Sequence, residues 1–328
     1  MKELSLKSMQ RREAVVQGPR QAEPRDIDAL NDVFADAFTD RYRRDGMVGV
    51  RVPKLNPEVW QYALADAGPG AMLWCDQNDR IAAFNIAHAS GGEGWMGPLA
   101  VRTDRQGAGL GQEIVLSAVS WLKQQEVTTL GLETMPRTVD NIGFYSQLGF
   151  LPGHLTVTVV GDVRRGESAA YSQLGDVPRA DRDSMIDACR IRLGESAAGY
   201  DFTKELRLTD ELGIGDTIVI ASNVVHGFAL WHSVPLVEGR PAEELRVLKL
   251  FADSLQTFDE LLIGLEGCAR RAGLPRISIR CQTAFGQSYA LLMRQGYRVR
   301  WTDLRMTLDQ HPCATVPPGE VLFSNWEI

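Results

Sequence analysis

The predicted secondary structure elements occur twice in the same order along the 328 residues. In both copies a strand, a short helix and a second strand close the unit, and the glycine-aromatic pair Gly149-Phe150 recurs as Gly296-Tyr297 about one domain length later. Aspartates also open a helix at comparable places, Asp26 and Asp181. In the first copy the pattern predicts a first strand at residues 13–17, a helix from Asp26 to Phe38 and a last strand at residues 154–160. This pattern predicts a mixed α/β chain of two tandem domains, residues 1–162 and residues 163–328.

A glycine-rich junction between a strand and a helix stands out in the first copy. The predicted strand ends in Leu99-Ala100-Val101, and the helix begins after Gln106-Gly107-Ala108-Gly109-Leu110-Gly111. The first amides of a helix have no intrahelical partner, and the helix dipole places partial positive charge there. Because glycine has no Cβ, an anion can come close to these amides. The junction therefore predicts a site for a phosphate or diphosphate.

Composition and charge exclude several classes of protein. The net charge of −7 gives no general attraction to nucleic acid, so no nucleic-acid partner is expected. No run of apolar residues is long enough for a membrane helix, and the first twenty residues have no apolar signal core, which predicts a cytoplasmic protein without a membrane partner. The five cysteines are scattered, without metal-ligand spacing, so no metal site is expected.

The junction resembles the signature Gln/Arg-x-x-Gly-x-Gly/Ala of the GNAT superfamily of acyl-CoA-dependent N-acyltransferases. The resemblance covers roughly residues 13–160, and residues 168–308 more faintly. It implies two GNAT-like units, each with a twisted, mixed, largely antiparallel sheet flanked by helices. In such a sheet the fourth and fifth strands splay apart, and the pantetheine arm of the acyl donor lies between them like an added strand.

The resemblance also implies which residues bind acetyl-CoA as the co-substrate. Main-chain groups at the end of the fourth strand would pair with pantetheine, and the amides of the glycine loop would hold the diphosphate. The expected contacts are Leu99, Ala100, Val101, Gln106, Gly107, Ala108, Gly109, Leu110, Gly111, Asn141 and Tyr145.

Catalytic roles follow from the same resemblance. Tyr145 would be the acid that protonates the leaving thiolate, since a phenol keeps its proton at neutral pH. Glu133 on the fifth strand is the preferred candidate for the base that activates the amine, with His88 as the alternative. Many relatives carry asparagine seven residues before this tyrosine, where Thr138 stands here, so the role of Asn141 as a cap or a ligand stays open.

The second copy lacks the reactive parts. Its fourth strand runs into Ala252-Asp253-Ser254 without a glycine pair, and Asp253 would repel a diphosphate. Leu292 takes the place of Tyr145. The second domain is therefore expected to be non-catalytic, and either to form a wall of the substrate cleft or to stand in for the partner subunit of single-domain relatives. A monomer or weak homodimer is expected. The apolar tail, residues 319–328, is expected to dock as a strand.

The predicted function is transfer of an acetyl group from acetyl-CoA directly to a primary amine of a small molecule. The acceptor pocket would be built from loops such as residues 39–56, which carry no transferable code. Two alternatives remain. One is a non-catalytic acyl-CoA sensor. The other is an NAD-dependent oxidoreductase, since Gly107-Ala108-Gly109 resembles part of a dinucleotide-binding loop; Gln112, however, stands where that motif needs its third glycine.

Overall fold

The computed structural model describes residues 16–164 and 169–327, so part of the predicted first strand at residues 13–17 lies outside the described residues. The first half forms ten helices and strands in the predicted order. They are β1 (Val16–Gln21), α1 (Ile27–Arg44), α2 (Pro57–Ala67), β2 (Ala71–Asp76), β3 (Ile81–Ser90), β4 (Glu93–Val101), α3 (Leu110–Gln124), β5 (Thr129–Thr134), α4 (Val139–Gln147) and β6 (Phe150–Asp162).

The second half repeats this order and adds one strand. The repeated elements are β7 (Ser172–Gln173), α5 (Arg179–Ser196), α6 (Thr203–Leu212), β8 (Gly215–Ala221), β9 (Val225–His232), β10 (Glu244–Ala252), α7 (Leu255–Arg271), β11 (Arg276–Gln282), α8 (Gly286–Arg294) and β12 (Arg298–Leu308). The added strand, β13 (Val321–Ser324), has no counterpart among residues 16–164.

The two halves share one sheet because each gives its last strand to the other. The strand order is β1-β2-β3-β4-β5-β12-β6-β11-β10-β9-β8-β7. Strand β12 lies between β5 and β6, and β6 lies between β12 and β11. Among the described residues, neither β6 nor β12 pairs with a strand of its own half. Residue 162 thus ends a strand whose backbone partners all come later in the chain.

The sheet confirms the mixed, largely antiparallel architecture. Two neighbouring pairs of the described strands run parallel, β4 with β5 and β10 with β11, and the others run antiparallel. Helix α3 shows how the sequence pattern produces the packing, because its buried side chains recur at helical spacing: Leu110, Ile114, Ala118 and Leu122. Full burial of a leucine-sized side chain contributes roughly 1.5–3 kcal/mol, which fixes this helix against the sheet.

Strands β4 and β5 diverge halfway along their length. Their pairing ends at Met96 and Leu132, so the rest of β4 has no partner on that side. On the other side of β4, the register with β3 shifts between Met96 and Leu99, which places Gly97 and Pro98 in a bulge. The bulge bends β4 away from β5 and opens a gap, here named the first wedge, beside Leu99–Val101.

The equivalent gap in the second half, the second wedge, is filled by the chain itself. Strands β10 and β11 are paired as far as Val247 and Ile279. Beyond that point β13 pairs antiparallel with β10. The residue after β13, Asn325, then joins the two diverging strands, because its side-chain amide donates to the carbonyl oxygens of Leu248 (3.4 Å) and Arg280 (3.0 Å). The predicted docking of the tail as a strand is confirmed.

Candidate active site

The first wedge contains a cavity of about 210 Å³, here named the wedge cavity. Strand β4 forms one wall, and helices α1 and α4 form the others. Its lining includes most of the β4 and α4 residues that the sequence predicted to bind the cofactor, together with Gln106 of the glycine loop: Leu99, Ala100, Val101, Gln106, Asn141 and Tyr145. The fold thus brings Leu99 of β4 and Tyr145 of α4, which are separated by more than forty residues in sequence, into one cavity.

The glycine loop leaves its backbone accessible at the end of this cavity. Gly107 and Gly109 have φ angles of +81° and +85°, a region that residues with a Cβ rarely occupy. A Cβ built on either glycine meets no atom within 4 Å, so the space in front of the loop is open. Helix α3 begins at Leu110 with Gly109 as its N-cap and with no side-chain cap. Its first amides therefore remain available to a ligand.

Ion pairs hold the loop in place. Arg102 and Arg105, just before the glycines, both reach the buried carboxylate of Asp76 at the end of β2, at 2.9 and 3.5 Å. The Gln106 side chain folds back and donates to the carbonyl oxygen of Val101 at 3.0 Å. Sequence reasoning missed the role of Asp76, because nothing in its local sequence connects it to a loop more than twenty residues away.

Tyr145 lies in the wall of the wedge cavity and is 6 % exposed. Its ring packs between those of Phe144 and Phe150, with centroids 5.2 and 6.2 Å away. Burial raises the pKa of its phenol well above the ordinary value of 10.0. The hydroxyl therefore stays protonated at neutral pH, as a group that donates a proton must.

Thr138 has a structural contact at the position where relatives carry asparagine. It is fully buried, and its hydroxyl donates to Asp45 at 2.6 Å, which ties the start of α4 to the end of α1. Asn141 lies one turn further along α4 and lines the wedge cavity. No side-chain cap from Asn141 is present at the start of α4, so its expected contact with the cofactor stays a prediction.

A second cavity of about 380 Å³, the bulge cavity, lies at the bulge of β4. Its first-half lining includes the aromatic side chains Phe34, Phe38, Tyr42 and Trp95 and comes from α1, β3, β4, β5 and the loop before α2. The second half supplies the rest of the wall: Leu236, Arg280, Trp301, Asp303, Arg305, Asn325, Trp326 and Glu327. The sequence predicted loops such as residues 39–56 for the acceptor pocket and offered the second half as a possible cleft wall, but it did not identify these residues. Val52 and Leu55 are the contribution of the predicted loop 39–56.

Glu133 lines the bulge cavity, where second-half cations hold its carboxylate. It pairs with Arg280, lies 3.1 Å from Nε of Arg305, and accepts a hydrogen bond from Thr156 at 2.5 Å. Burial alone would raise the pKa of Glu133, but the two guanidinium groups outweigh it and lower that pKa. Both carboxylate oxygens are engaged by protein groups in this structure.

His88, the alternative base, also lines the bulge cavity. Its Nδ1 lies 2.5 Å from Oδ2 of Asp66 on helix α2, and both side chains are buried. Its Nε2 is buried without a hydrogen-bond partner among the described residues. The ring stacks on Trp326 of the C-terminal segment, with centroids 5.7 Å apart.

In the described part of the second half, the equivalent wedge and helix start are occupied by the protein itself. The Ser254 side chain caps α7 by accepting from the amide of Thr257 at 3.1 Å, and the hydroxyl of Thr257 donates to Asp253 at 2.6 Å. Strand β13 occupies the second wedge. Leu292, at the position of Tyr145, is fully buried in the hydrophobic core.

Comparison with known families assigns the first half. Residues 29–150 match the model of the acetyltransferase (GNAT) family. This part of the chain is a GNAT acetyltransferase domain, of the family that takes acyl groups from acyl-CoA and passes them to an acceptor. No curated protein sequence matches the chain.

Solved structures resemble the chain over almost its whole length. A candidate acetyltransferase from Pyrococcus horikoshii has a TM-score of 0.67 at 16% identity, covering 95% of this chain and 94% of that one. A tandem GNAT protein from the clavulanic acid biosynthesis pathway has a TM-score of 0.58 at 13% identity, covering 91% and 99%. Saccharomyces cerevisiae N-myristoyltransferase has a TM-score of 0.61 at 10% identity, covering 89% and 79%. At these identities the likeness establishes the fold.

Within residues 16–164 and 169–327, none of the helices combines the length and apolar character that a membrane crossing requires. Those residues also contain no group of three or more histidine, cysteine, aspartate or glutamate side chains placed to hold a metal ion.

Proposed function

We propose that the protein is an N-acetyltransferase that moves an acetyl group from acetyl-CoA directly to a primary amine of a small molecule. The observation that carries this proposal is the open first wedge, which connects the exposed amides of the glycine loop to a buried, protonated tyrosine. The residues fit the donor, because the loop offers unshielded N–H groups to a diphosphate and β4 offers a free strand edge to an amide-bearing arm.

The predicted binding residues of β4 and of the glycine loop act through their main chain in this proposal. Leu99, Ala100 and Val101 pair through their main chain with pantetheine, and the amides from Gln106 to Gly111 bind the diphosphate. Arg41 and Arg44 also lie in the wall of the wedge cavity, where they pair with Asp45 and Asp40. The acetyl group is the proposed cargo because the matched family is one of acetyltransferases.

The bulge cavity is the proposed acceptor site. Three carboxylates line it, Glu133, Asp303 and Glu327, against the two guanidinium groups of Arg280 and Arg305. Glu327 also pairs with Arg246, so these carboxylates are matched by guanidinium groups. The remaining lining is rich in aromatic side chains, which favours an acceptor with an apolar body. Since the second half builds one side of this cavity, we infer that its role is to complete the acceptor site.

Release of free thiol from acetyl-CoA tests the proposal. The purified protein is incubated with acetyl-CoA and a panel of primary amines, and coenzyme A thiol is measured with a chromogenic reagent. Release that depends on the amine, with an acetylated product seen by mass spectrometry, supports the transferase. Saturable binding of acetyl-CoA without turnover on any amine would instead indicate a sensor.

Replacing Tyr145 by phenylalanine is expected to lower turnover at least about tenfold, equivalent to about 1.4 kcal/mol of transition-state stabilisation. The substitution removes only the hydroxyl, so the packing against Phe144 and Phe150 and the affinity for acetyl-CoA should be nearly unchanged. Steady-state kinetics and calorimetry measure the two quantities. A turnover number equal to that of the wild type would remove Tyr145 from the mechanism.

Calorimetry is expected to show one acetyl-CoA bound per chain. The second wedge is filled by β13 and the start of α7 is capped by Ser254, so the second half has neither the gap nor the free amides. Two equivalent binding events per chain would contradict this interpretation of the second half.

A further inference from the structure

His88 is a polar side chain that is buried close to the bulge of β4. It is 2 % exposed near the end of β3, and its β4 neighbour in the register is Trp95, two residues before the bulge. Nδ1 is hydrogen-bonded to the buried carboxylate of Asp66, and Nε2 is buried without a hydrogen-bond partner within residues 16–164 and 169–327. A buried nitrogen without a partner is costly unless a ligand or water uses it.

We propose that His88 is the general base that takes a proton from the acceptor amine, and that Asp66 is the positioning residue that orients it. This inference rests on the proposed acetyltransferase function. His88 lines the bulge cavity, which is the proposed acceptor site. The imidazole ring that carries the unpartnered nitrogen therefore forms part of the wall around the acceptor.

Asp66 determines which nitrogen of His88 can accept a proton. An ionised carboxylate only accepts hydrogen bonds, so Nδ1 must donate to Asp66, and the lone pair then lies on Nε2. Burial opposes ionisation of Asp66, but the contacts with His88 and Lys204 prevail and lower its pKa to about 2. The Lys204 ammonium on helix α6 lies 2.9 Å from the other oxygen of Asp66, so the second half also holds the pair.

The surroundings keep His88 neutral. Burial is the largest effect and lowers the pKa of His88 below its ordinary value of 6.5, while Asp66 acts in the opposite direction. Lys204 on α6 and Lys249 on β10 add to the lowering. Lys249 contacts the same tryptophan as His88, with Nζ 3.6 Å from the centre of the Trp326 ring. A base must be unprotonated to act, and His88 meets this condition at neutral pH.

Glu133, the preferred candidate from the sequence, is placed differently. Its two oxygens are engaged by Arg280, Arg305 and Thr156, so accepting a proton would break ion pairs in a buried setting. His88 can accept a proton at Nε2 without losing its bond to Asp66. We therefore infer that His88, rather than Glu133, accepts the proton of the amine. Glu133 holds Arg280 and Arg305 in the cavity wall.

The acceptor enters as an ammonium ion, and Nε2 of His88 removes one proton, which leaves a lone pair on the nitrogen. The nitrogen forms a bond to the acyl carbon, the carbon–sulfur bond breaks, and the thiolate receives a proton from Tyr145. The second proton that the nitrogen loses on becoming an amide restores the phenol. His88 then releases its proton to solvent, so one proton is produced for each amide.

Two amines that differ in protonation distinguish this role from a structural one. Benzylamine is an ammonium ion at pH 7 and needs a base, whereas methoxyamine is already neutral. With acetyl-CoA as donor, the His88→Gln variant is expected to lose about a hundredfold or more in kcat/KM for benzylamine and only a few-fold for methoxyamine. The wild-type kcat/KM for benzylamine should fall as the pH drops through the lowered pKa of His88, below 6.5.

Matched variants complete the test. Asp66→Asn removes the negative charge that supports protonation of His88, so it should lower kcat for benzylamine and move the acidic limb of the profile to lower pH. Equal losses for both amines in His88→Gln, or an amine-selective loss in Glu133→Gln instead, would overturn the assignment. A wild type that binds acetyl-CoA but acetylates neither amine would overturn the proposed function and this inference with it.

Folding of the variants is checked by the affinity for acetyl-CoA, since the wedge cavity is not lined by His88. If His88→Gln has lost that affinity, His88→Ala with added imidazole takes its place. Benzylamine turnover that rises with imidazole concentration supports the base. Turnover that stays flat over that range, in a variant that binds acetyl-CoA, contradicts it.

Discussion

Replacing Gly109 by tryptophan is expected to raise the dissociation constant for acetyl-CoA at least about a hundredfold, a loss of roughly 2.7 kcal/mol. The Cβ of the new residue would project into the open space before the glycine loop, where the diphosphate is proposed to bind. Isothermal titration calorimetry of the wild type and the variant measures the change.

Two controls separate blocked access from backbone strain. Gly109→Ala introduces the same unfavourable φ of +85° with a small side chain, so it should bind acetyl-CoA more tightly than the tryptophan variant. Gly273 has a φ of +71° and equally open surroundings in the second half, so Gly273→Trp should bind like the wild type. If Gly109→Trp bound acetyl-CoA as tightly as the wild type, the loop would not be the diphosphate site.

Separating the chain after residue 162 is expected to abolish the folded monomer of each part. In residues 1–162, β6 would lose both of its strand partners and β5 would lose β12, which exposes the edges of strands that are mostly buried in the intact protein. Unpaired edges recruit other strands, so the fragment should aggregate or pair with a second copy of itself.

Co-expression provides the matched comparison. The fragments 1–162 and 163–328 should form a one-to-one complex when produced together, because each then regains the strand that it lacks. Size-exclusion chromatography with light scattering gives the stoichiometry, and circular dichroism gives the cooperativity of unfolding. A fragment 1–162 that unfolds cooperatively as a monomer would show that the strand exchange is not needed for stability.

The sequence predicted the element order of both halves because the signals are local. Glycines mark the loop, and apolar residues at helical spacing mark α3. Two elements extend beyond their predicted bounds, and the added residues contact the other half of the chain. Helix α1 continues past the predicted end at Phe38 to Arg44, and its Tyr42 packs on Trp301 of the second half. Strand β6 is longer than the predicted residues 154–160, and β11 and β12 pair with it on both sides.

The exchange of β6 and β12 could not be read from the sequence. Both strands would present the same alternation of side chains whether they paired within their own half or with the other half. The residues proposed to bind the cofactor could be named from the sequence because most of them lie in one continuous stretch from β4 to the glycine loop. The acceptor side could not, because Arg280, Asp303 and Trp326 reach the bulge cavity from distant elements of the second half.

Strand β13 fills the second wedge and leaves the first wedge open, and this asymmetry is possible because both copies of the fold lie in one chain. In a symmetric pair of identical subunits, every residue change is duplicated, so a segment that seals one groove seals both. Covalent linkage removes that constraint, because the tail that blocks one groove also carries Trp326 to the opposite site. Divergence after duplication could therefore turn one copy into a scaffold without any loss of chemistry in its sister.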